Sequence, residues 1–278
     1  MKNTRRAFIQ KISSAYLLGT SLGFRSMAND EWQSSRNKVK LRLLVASDIH
    51  YGQPNTDFEG MTQTFIEKAN AFHAQFKCDF VVVNGDLIHD KPEFMQPLKS
   101  KLDLLEAPYF LSRGNHDRIS EVAWLSLWQK PVNHYFSLKN TGFVLANTSN
   151  EKGEYLSPDL IWLEATLKQL KSTKSVILFV HIPQKKWTAN AIENPRFFEL
   201  LNKYKNVKAV FHGHEHDQDG IKTLDGIPYI FDSHIGGNWG TPHKGFRVME
   251  ILKDETIITY LMSPDDKLSQ ETFENKSN

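Results

Sequence analysis

VKAVFHGHEH, residues 207–216, carries the pattern from which the architecture of the chain can be read. Val207–Phe211 is a short apolar run broken only by Lys208, the length and composition of a buried strand. Gly213 then permits a tight turn, and His214 and His216 follow on the same side of an extended segment. The arrangement recurs upstream. In LRLLVASDIH (41–50) an apolar run delivers Asp48 and His50, again two residues apart. FVVVNGD (80–86) delivers Asp86, YFLSRGNHD (109–117) delivers Asn115, His116 and Asp117, and VILFVH (176–181) delivers His181. Ligand sites of α/β sheets lie outside the carboxyl ends of their strands, so these five strand ends should meet on one rim.

Nearly continuous Val, Ile and Phe runs suit strands buried on both faces. Helical patterns separate several of them. Phe58, Met61, Phe65, Phe72 and Phe76 share one face, and Leu163, Leu167 and Leu170 share another. Ser157 and Pro158 read as cap and first residue of the second helix; Asn194 and Pro195 repeat the device before Phe198 and Leu201. Strands at His134–Leu138 and Phe143–Asn147, around Asn140-Thr141-Gly142, predict a hairpin. A second is expected to turn near Lys253-Asp254-Glu255. The sum is an α/β domain over residues 39–262 with a mixed sheet system. Residues 263–278 read as a polar, loose tail.

The 278 residues allow one large domain or two small ones, and 40% hydrophobic with 24% charged residues is the balance of an ordinary globular protein. Cys78 is the single cysteine, which excludes an intrachain disulfide framework and any multi-cysteine metal site. At the start of an apolar strand it reads as a small buried hydrophobe. The formal charge of +2 is misleading. Lys2, Arg5, Arg6, Lys11 and Arg25 stand in the first 28 residues without a single acid, and without them the chain carries a net −3. Such a domain lacks the basic footprint of a general nucleic-acid binder. Thr4-Arg5-Arg6-Ala7-Phe8-Ile9-Gln10-Lys11 resembles the twin-arginine export signal. An apolar stretch from Ile12 to Phe24, too short to span a bilayer, and the small residues of Ser26-Met27-Ala28 complete the pattern. Residues 1–28 therefore read as a signal peptide and 29–38 as a linker. The resemblance implies the twin-arginine export machinery as a partner and a bacterial periplasmic or secreted location.

The five ordered blocks resemble the calcineurin-like metallophosphoesterases, whose pattern is Asp-x-His, Gly-Asp, Gly-Asn-His-Asp/Glu, a lone His and Gly-His-x-His. All five lie between residues 48 and 216. The hairpin and the Gly236-Gly237-Asn238 loop are also similar to the cyclic-nucleotide phosphodiesterase and purple acid phosphatase side of that family. The resemblance implies a four-layer α/β/β/α sandwich with mixed sheets. It implies that Asp48, His50 and His216 bind one metal ion, that Asn115, His181 and His214 bind a second, and that Asp86 bridges them. Donors of that kind suit Mn, Fe, Zn or Co. Two such ions can share a hydroxide and hold phosphate oxygens for in-line displacement. His116 would then act on the leaving-group oxygen, with Asp117 orienting its ring. The implied activity is hydrolysis of small phosphomonoesters, phosphodiesters or both, with a cyclic nucleotide as the narrower alternative. A catalytically inactive phosphate- or nucleotide-binding protein on the same scaffold would be expected to lack Asp86 or His116, and both are present.

Other residues carry weaker signals. His73, His134 and His212 read as structural. His89 stands where purple acid phosphatases have a metal-binding tyrosine, and this departure, together with His50, argues against an iron–tyrosinate centre. His89 could line the cleft, and Tyr51, Trp187, Trp239 and His243 lie on loops near the ligand blocks, where they could touch substrate.

Overall fold

The structure is a computed structural model and describes residues 38–232, 234–263 and 266–274. The segment read as a signal peptide, nearly all of the linker and residues 275–278 lie outside the described residues. Two mixed six-stranded sheets form the centre. The first runs in the order β12-β11-β10-β1-β2-β3, where β1 is Val39–Ala46, β2 Phe80–Asn84, β3 Tyr109–Ser112, β10 Phe246–Leu252, β11 Ile257–Ser263 and β12 Asp266–Phe273. The second runs β4-β5-β6-β7-β9-β8, with β4 at His134–Leu138, β5 at Thr141–Leu145, β6 at Ser175–Phe179, β7 at Val207–His212, β8 at Ile221–Leu224 and β9 at Ile227–Phe231. β1, β2 and β3 are parallel, as are β5, β6, β7 and β9, so each sheet releases its loops at one end.

The apolar runs are buried on both faces because each sheet is covered twice. Leu43, Val45 and Phe80 of the first sheet pack against Phe143, Phe179 and Phe211 of the second. Burying each such side chain contributes about 1.5–3 kcal/mol, so this interface supplies much of the driving force. The helix α1 (Phe58–Gln75) covers the outer face of the first sheet, with Phe65 and Phe72 edge-on to Phe246 of β10. Its start is capped by Asp57, which accepts from Gly60 N at 3.0 Å. Two short helices, α2 (Met95–Leu102) and α3 (Glu121–Trp128), follow β2 and β3. On the second sheet, α4 (Leu160–Gln169) and α5 (Pro195–Asn202) bury Leu163, Leu167, Phe197 and Leu201 against Val144, Leu178 and Val210. The layers are α/β/β/α.

Local details differ from the sequence reading at three points. Helix α4 is capped by Asp159, whose carboxylate accepts from Ile161 N and Trp162 N, and not by Ser157. A charged oxygen at a helix N-terminus outcompetes a hydroxyl two residues earlier. The β4–β5 hairpin turns on Lys139 and Asn140, both at positive φ (49° and 59°), so the second strand begins at Thr141. Two residues with φ above zero make a turn whose twist matches the strands. The tail is polar, but its residues Asp266–Phe273 pair antiparallel with β11 as an edge strand. Backbone pairing needs no apolar pattern, so composition alone hid this strand.

Candidate metal centre

The carboxyl ends of β1, β2, β3, β6 and β7 converge, and their loops carry every block singled out from the sequence. Asp48 (φ 55°), His50 (48°), Asp86 (50°) and His214 (71°) all adopt left-handed backbone conformations. Four non-glycine residues in that region within one site store strain, which packing around them has to hold. Close approach explains two of the glycines. A side chain on Gly114 would collide with the Asp86 backbone and carboxylate, and one on Gly236 with the Ile49 carbonyl. Gly236 N donates to Asp48 O at 2.8 Å, so this amide ties the 234–245 loop to the end of β1.

Three groups of side chains among the described residues could each hold a metal ion: Asp48, His50 and His216; Asp86, His181 and His214; and, nearer the rim, His50, His89 and His116. Within each, one donor atom per residue lies within 4.8 Å of the others. His50 Nε2 is 3.0 Å from His216 Nε2 and 3.9 Å from Asp48 Oδ1, and His216 Nε2 is 3.3 Å from the same oxygen. Asp86 Oδ2 faces the first two groups, at 3.3 Å from His181 Nε2 and 3.6 Å from His50 Nε2. The Asn115 amide oxygen and His214 Nε2 are buried and have no hydrogen-bond partner among the described residues. Buried polar atoms left in this way are costly, and a cation would satisfy both. His181 Nδ1 donates to Asn84 O at 2.7 Å, which leaves Nε2 as the lone-pair nitrogen facing Asp86 when the ring is neutral.

Charge in the cluster points the same way. Burial alone would raise both carboxyls, but His216 and His181 hold Asp48 at about 2, and His181 and His50 hold Asp86 well below the usual carboxylate range. Burial pushes His50 down to about 3 and His214, helped by His181, to about 4. His181 also feels burial, yet the charges of Asp86 and Asp48 lift it to about 10. Two ionised, buried carboxylates thus draw a positive charge onto the nearest nitrogen, the place a metal ion would take.

His116 lies at the outer edge of this cluster, and its neighbours differ from expectation. Its backbone N–H donates to Asp86 Oδ1 at 2.8 Å. Its Nδ1 donates to Asp90 Oδ1 at 2.9 Å, and Arg118 Nε shares that oxygen at 3.0 Å. Asp117, expected to orient the ring, instead accepts from Gly114 N at 2.8 Å and Ile88 N at 2.9 Å. It is fully buried and braces the loop, because two backbone amides there need an acceptor. Burial, and then the Asp86 charge, raise its carboxyl to about 8.

Asp90 has a single signal in the sequence, its place four residues after Asp86. Asn84, at the end of β2, supports the site from behind. Its Nδ2 donates to Phe211 O in the opposite sheet, its Oδ1 accepts from Ser112, and its carbonyl holds His181. His234 donates to Gly236 O or Thr241 O and lies beside the His216 ring, fastening the loop that carries Trp239. Trp239, 43% exposed, stacks on His216 at 4.2 Å and so belongs to the rim. His89 also reaches the rim, stacked on His116, and burial lowers its affinity for a proton. The other residues singled out make packing or polar contacts within the fold. Tyr51 is buried against Phe58 and Phe94, Trp187 packs on Phe198 and Tyr229, and His243 pairs with Asp219. His73 accepts from Cys78 N, while His134 and His212 each donate to a backbone carbonyl. Cys78 is buried, which pushes its thiol up to about 12.

Residues 41–218 match the family model described as calcineurin-like phosphoesterase. A 3',5'-cyclic-nucleotide phosphodiesterase of Nostoc sp. is 29% identical over 195 residues, 65% of this chain and 73% of that protein. A probable glycerophosphodiester phosphodiesterase of Arcobacter nitrofigilis is 29% identical over 162 residues, half of this chain and 57% of that protein. Among solved structures, a dimetal phosphatase from Danio rerio superposes with a TM-score of 0.69 at 16% identity, over 84% of this chain and 98% of that one.

Proposed function

Because the chain belongs to the calcineurin-like phosphoesterase family, we propose that it is a two-cation hydrolase of both phosphomonoesters and phosphodiesters. One observation carries this reading: Asp86 Oδ2 faces His181 of one candidate group and His50 of another, at 3.3 and 3.6 Å. In this reading Asp48, His50 and His216 hold one ion, Asn115, His181 and His214 the other, and Asp86 is shared. Carboxylate, amide and imidazole donors without sulfur fit Mn, Fe, Zn or Co. When bound, such ions activate water and neutralise phosphoryl charge.

The protein's own groups do the rest. Asp86 accepts the His116 backbone N–H, so one residue sets the distance between the cation site and the imidazole. With Nδ1–H held by Asp90, His116 keeps Nε2 as the atom that passes a proton to the leaving oxygen. Arg118 Nε, 3.0 Å from the same oxygen, keeps Asp90 in place. The two curated relatives are named for diesters, a cyclic nucleotide and a glycerophosphodiester, which supports diesters among the substrates. The N-terminal resemblance to a twin-arginine signal supports a periplasmic or secreted enzyme, and outside the cytoplasm scavenging from monoesters is as useful as diester cleavage. The chain with lysines at positions 5 and 6 should stay uncleaved in the cytoplasm; unchanged export would refute the twin-arginine route. Comparing kcat/KM for a nitrophenyl phosphate and its bis-ester tests the breadth. A ratio above about 10³, some 4 kcal/mol of transition-state discrimination, would overturn the broad reading in favour of the better ester.

A further inference from the structure

His50 uses its two ring nitrogens differently. Nε2 faces Asp86, Asp48 and His216, whereas Nδ1 lies 3.0 Å from Nδ1 of His89. An imidazole that binds a cation through Nε2 carries its one proton on Nδ1, and that N–H needs an acceptor. For metal-bound histidines the acceptor is commonly a carboxylate, a carbonyl or water. Around buried His50 it is another imidazole.

We propose that His89 is a positioning residue for the first cation: it accepts the hydrogen bond from His50 Nδ1–H and holds the His50 ring with Nε2 inward. The inference rests on the reading of His50 as a cation ligand. His89 must then be neutral, with its own proton on Nε2. Its place is fixed on two sides. Its backbone N–H donates to Tyr51 O at 3.0 Å, and its ring lies flat on His116, with centroids 4.8 Å apart and planes 10° apart. A change in the His50 tautomer would therefore be felt at His116, which ties cation binding to the group that handles the proton.

Substitutions separate this role from packing. His89→Phe keeps a flat ring against His116 but offers no acceptor, while His89→Gln offers an amide oxygen. Titration calorimetry with Mn²⁺ on the purified chain should show His89→Phe weakening one of two binding events about 10–100-fold, the span for losing an outer hydrogen-bond partner. The other event should be unchanged, and His89→Gln should stay nearer the wild type. Two ions held as tightly by His89→Phe as by the wild type would overturn the proposal, as would equal damage from Phe and Gln. A wild-type chain that binds no cation would overturn the metal reading and this inference together. Independently of any variant, ¹⁵N NMR of the Zn²⁺-loaded wild type should find protons on His50 Nδ1 and His89 Nε2. A proton on His89 Nδ1 would contradict the proposal.

Discussion

Asp86 and Asp90 stand four residues apart on one loop, and each faces histidine, yet their surroundings make them different instruments. Asp86 is 2% exposed and looks inward at His181 and His50. The Asp90 side chain is 35% exposed and bonds to His116, itself 26% exposed. In the buried cluster two carboxylates and four imidazoles lie away from bulk solvent, so protons or a cation are needed to balance the carboxylate charge. At the edge, solvent screens the pair and protons can enter and leave. In the function proposed above the inner cluster would hold cations and the edge would move a proton, and Asp86 joins the two through the His116 backbone.

Removing a member of each region should therefore damage different things. Asp86→Ala should lose bound metal, measured by elemental analysis, and lower turnover by about 10³-fold or more, since several kcal/mol of charge stabilisation go with the ions. Normal turnover with two metals per chain would break the division between regions. His116→Ala should keep the metals and lose roughly 10²–10⁴-fold in kcat, the span for general acid help. The loss should shrink for a nitrophenyl leaving group relative to an alkyl one, because the former needs less protonation; equal losses would remove His116 from the leaving-group side.

Smaller effects sharpen the edge. Asp90→Asn should lower kcat about ten- to a hundredfold with metal content intact, as expected for one hydrogen bond to a charged group. A variant that lost metal instead would move Asp90 into the inner cluster. Arg118→Ala removes a half-exposed ion pair worth about 0–1 kcal/mol, so kcat/KM should change by less than about fivefold. A larger loss would mean that Arg118 touches the substrate itself.

The difference between the regions also explains what the sequence could reveal. The inner residues each follow an apolar run within a few positions, because parallel strands hand their ligands straight to the rim; Asp48, Asp86 and His214 could be picked out for that reason. Edge and support residues act through contacts between distant segments. Asp90 bonds to His116 across 26 positions, and Asn84 to Phe211 across 127. Asp117 follows His116 directly in the chain, yet its carboxylate turns to backbone amides. Proximity in sequence was the wrong guide there. The sheets were legible from their Val- and Phe-rich runs, whereas β12 was not, since its residues from Lys267 to Phe273 are exposed or half-exposed and follow no apolar pattern, and backbone pairing with β11 sets their register.

Sharing of Asp86 by two cations is the feature on which the proposed chemistry depends. Electron paramagnetic resonance of the Mn²⁺-saturated chain tests it directly, with metal content measured on the same sample. The account predicts two Mn²⁺ per chain, close enough at about 3.5–4 Å to give the spectrum of an exchange-coupled pair, and loss of that coupling in Asp86→Ala. One ion per chain, or two that give only the signal of isolated Mn²⁺, would contradict it.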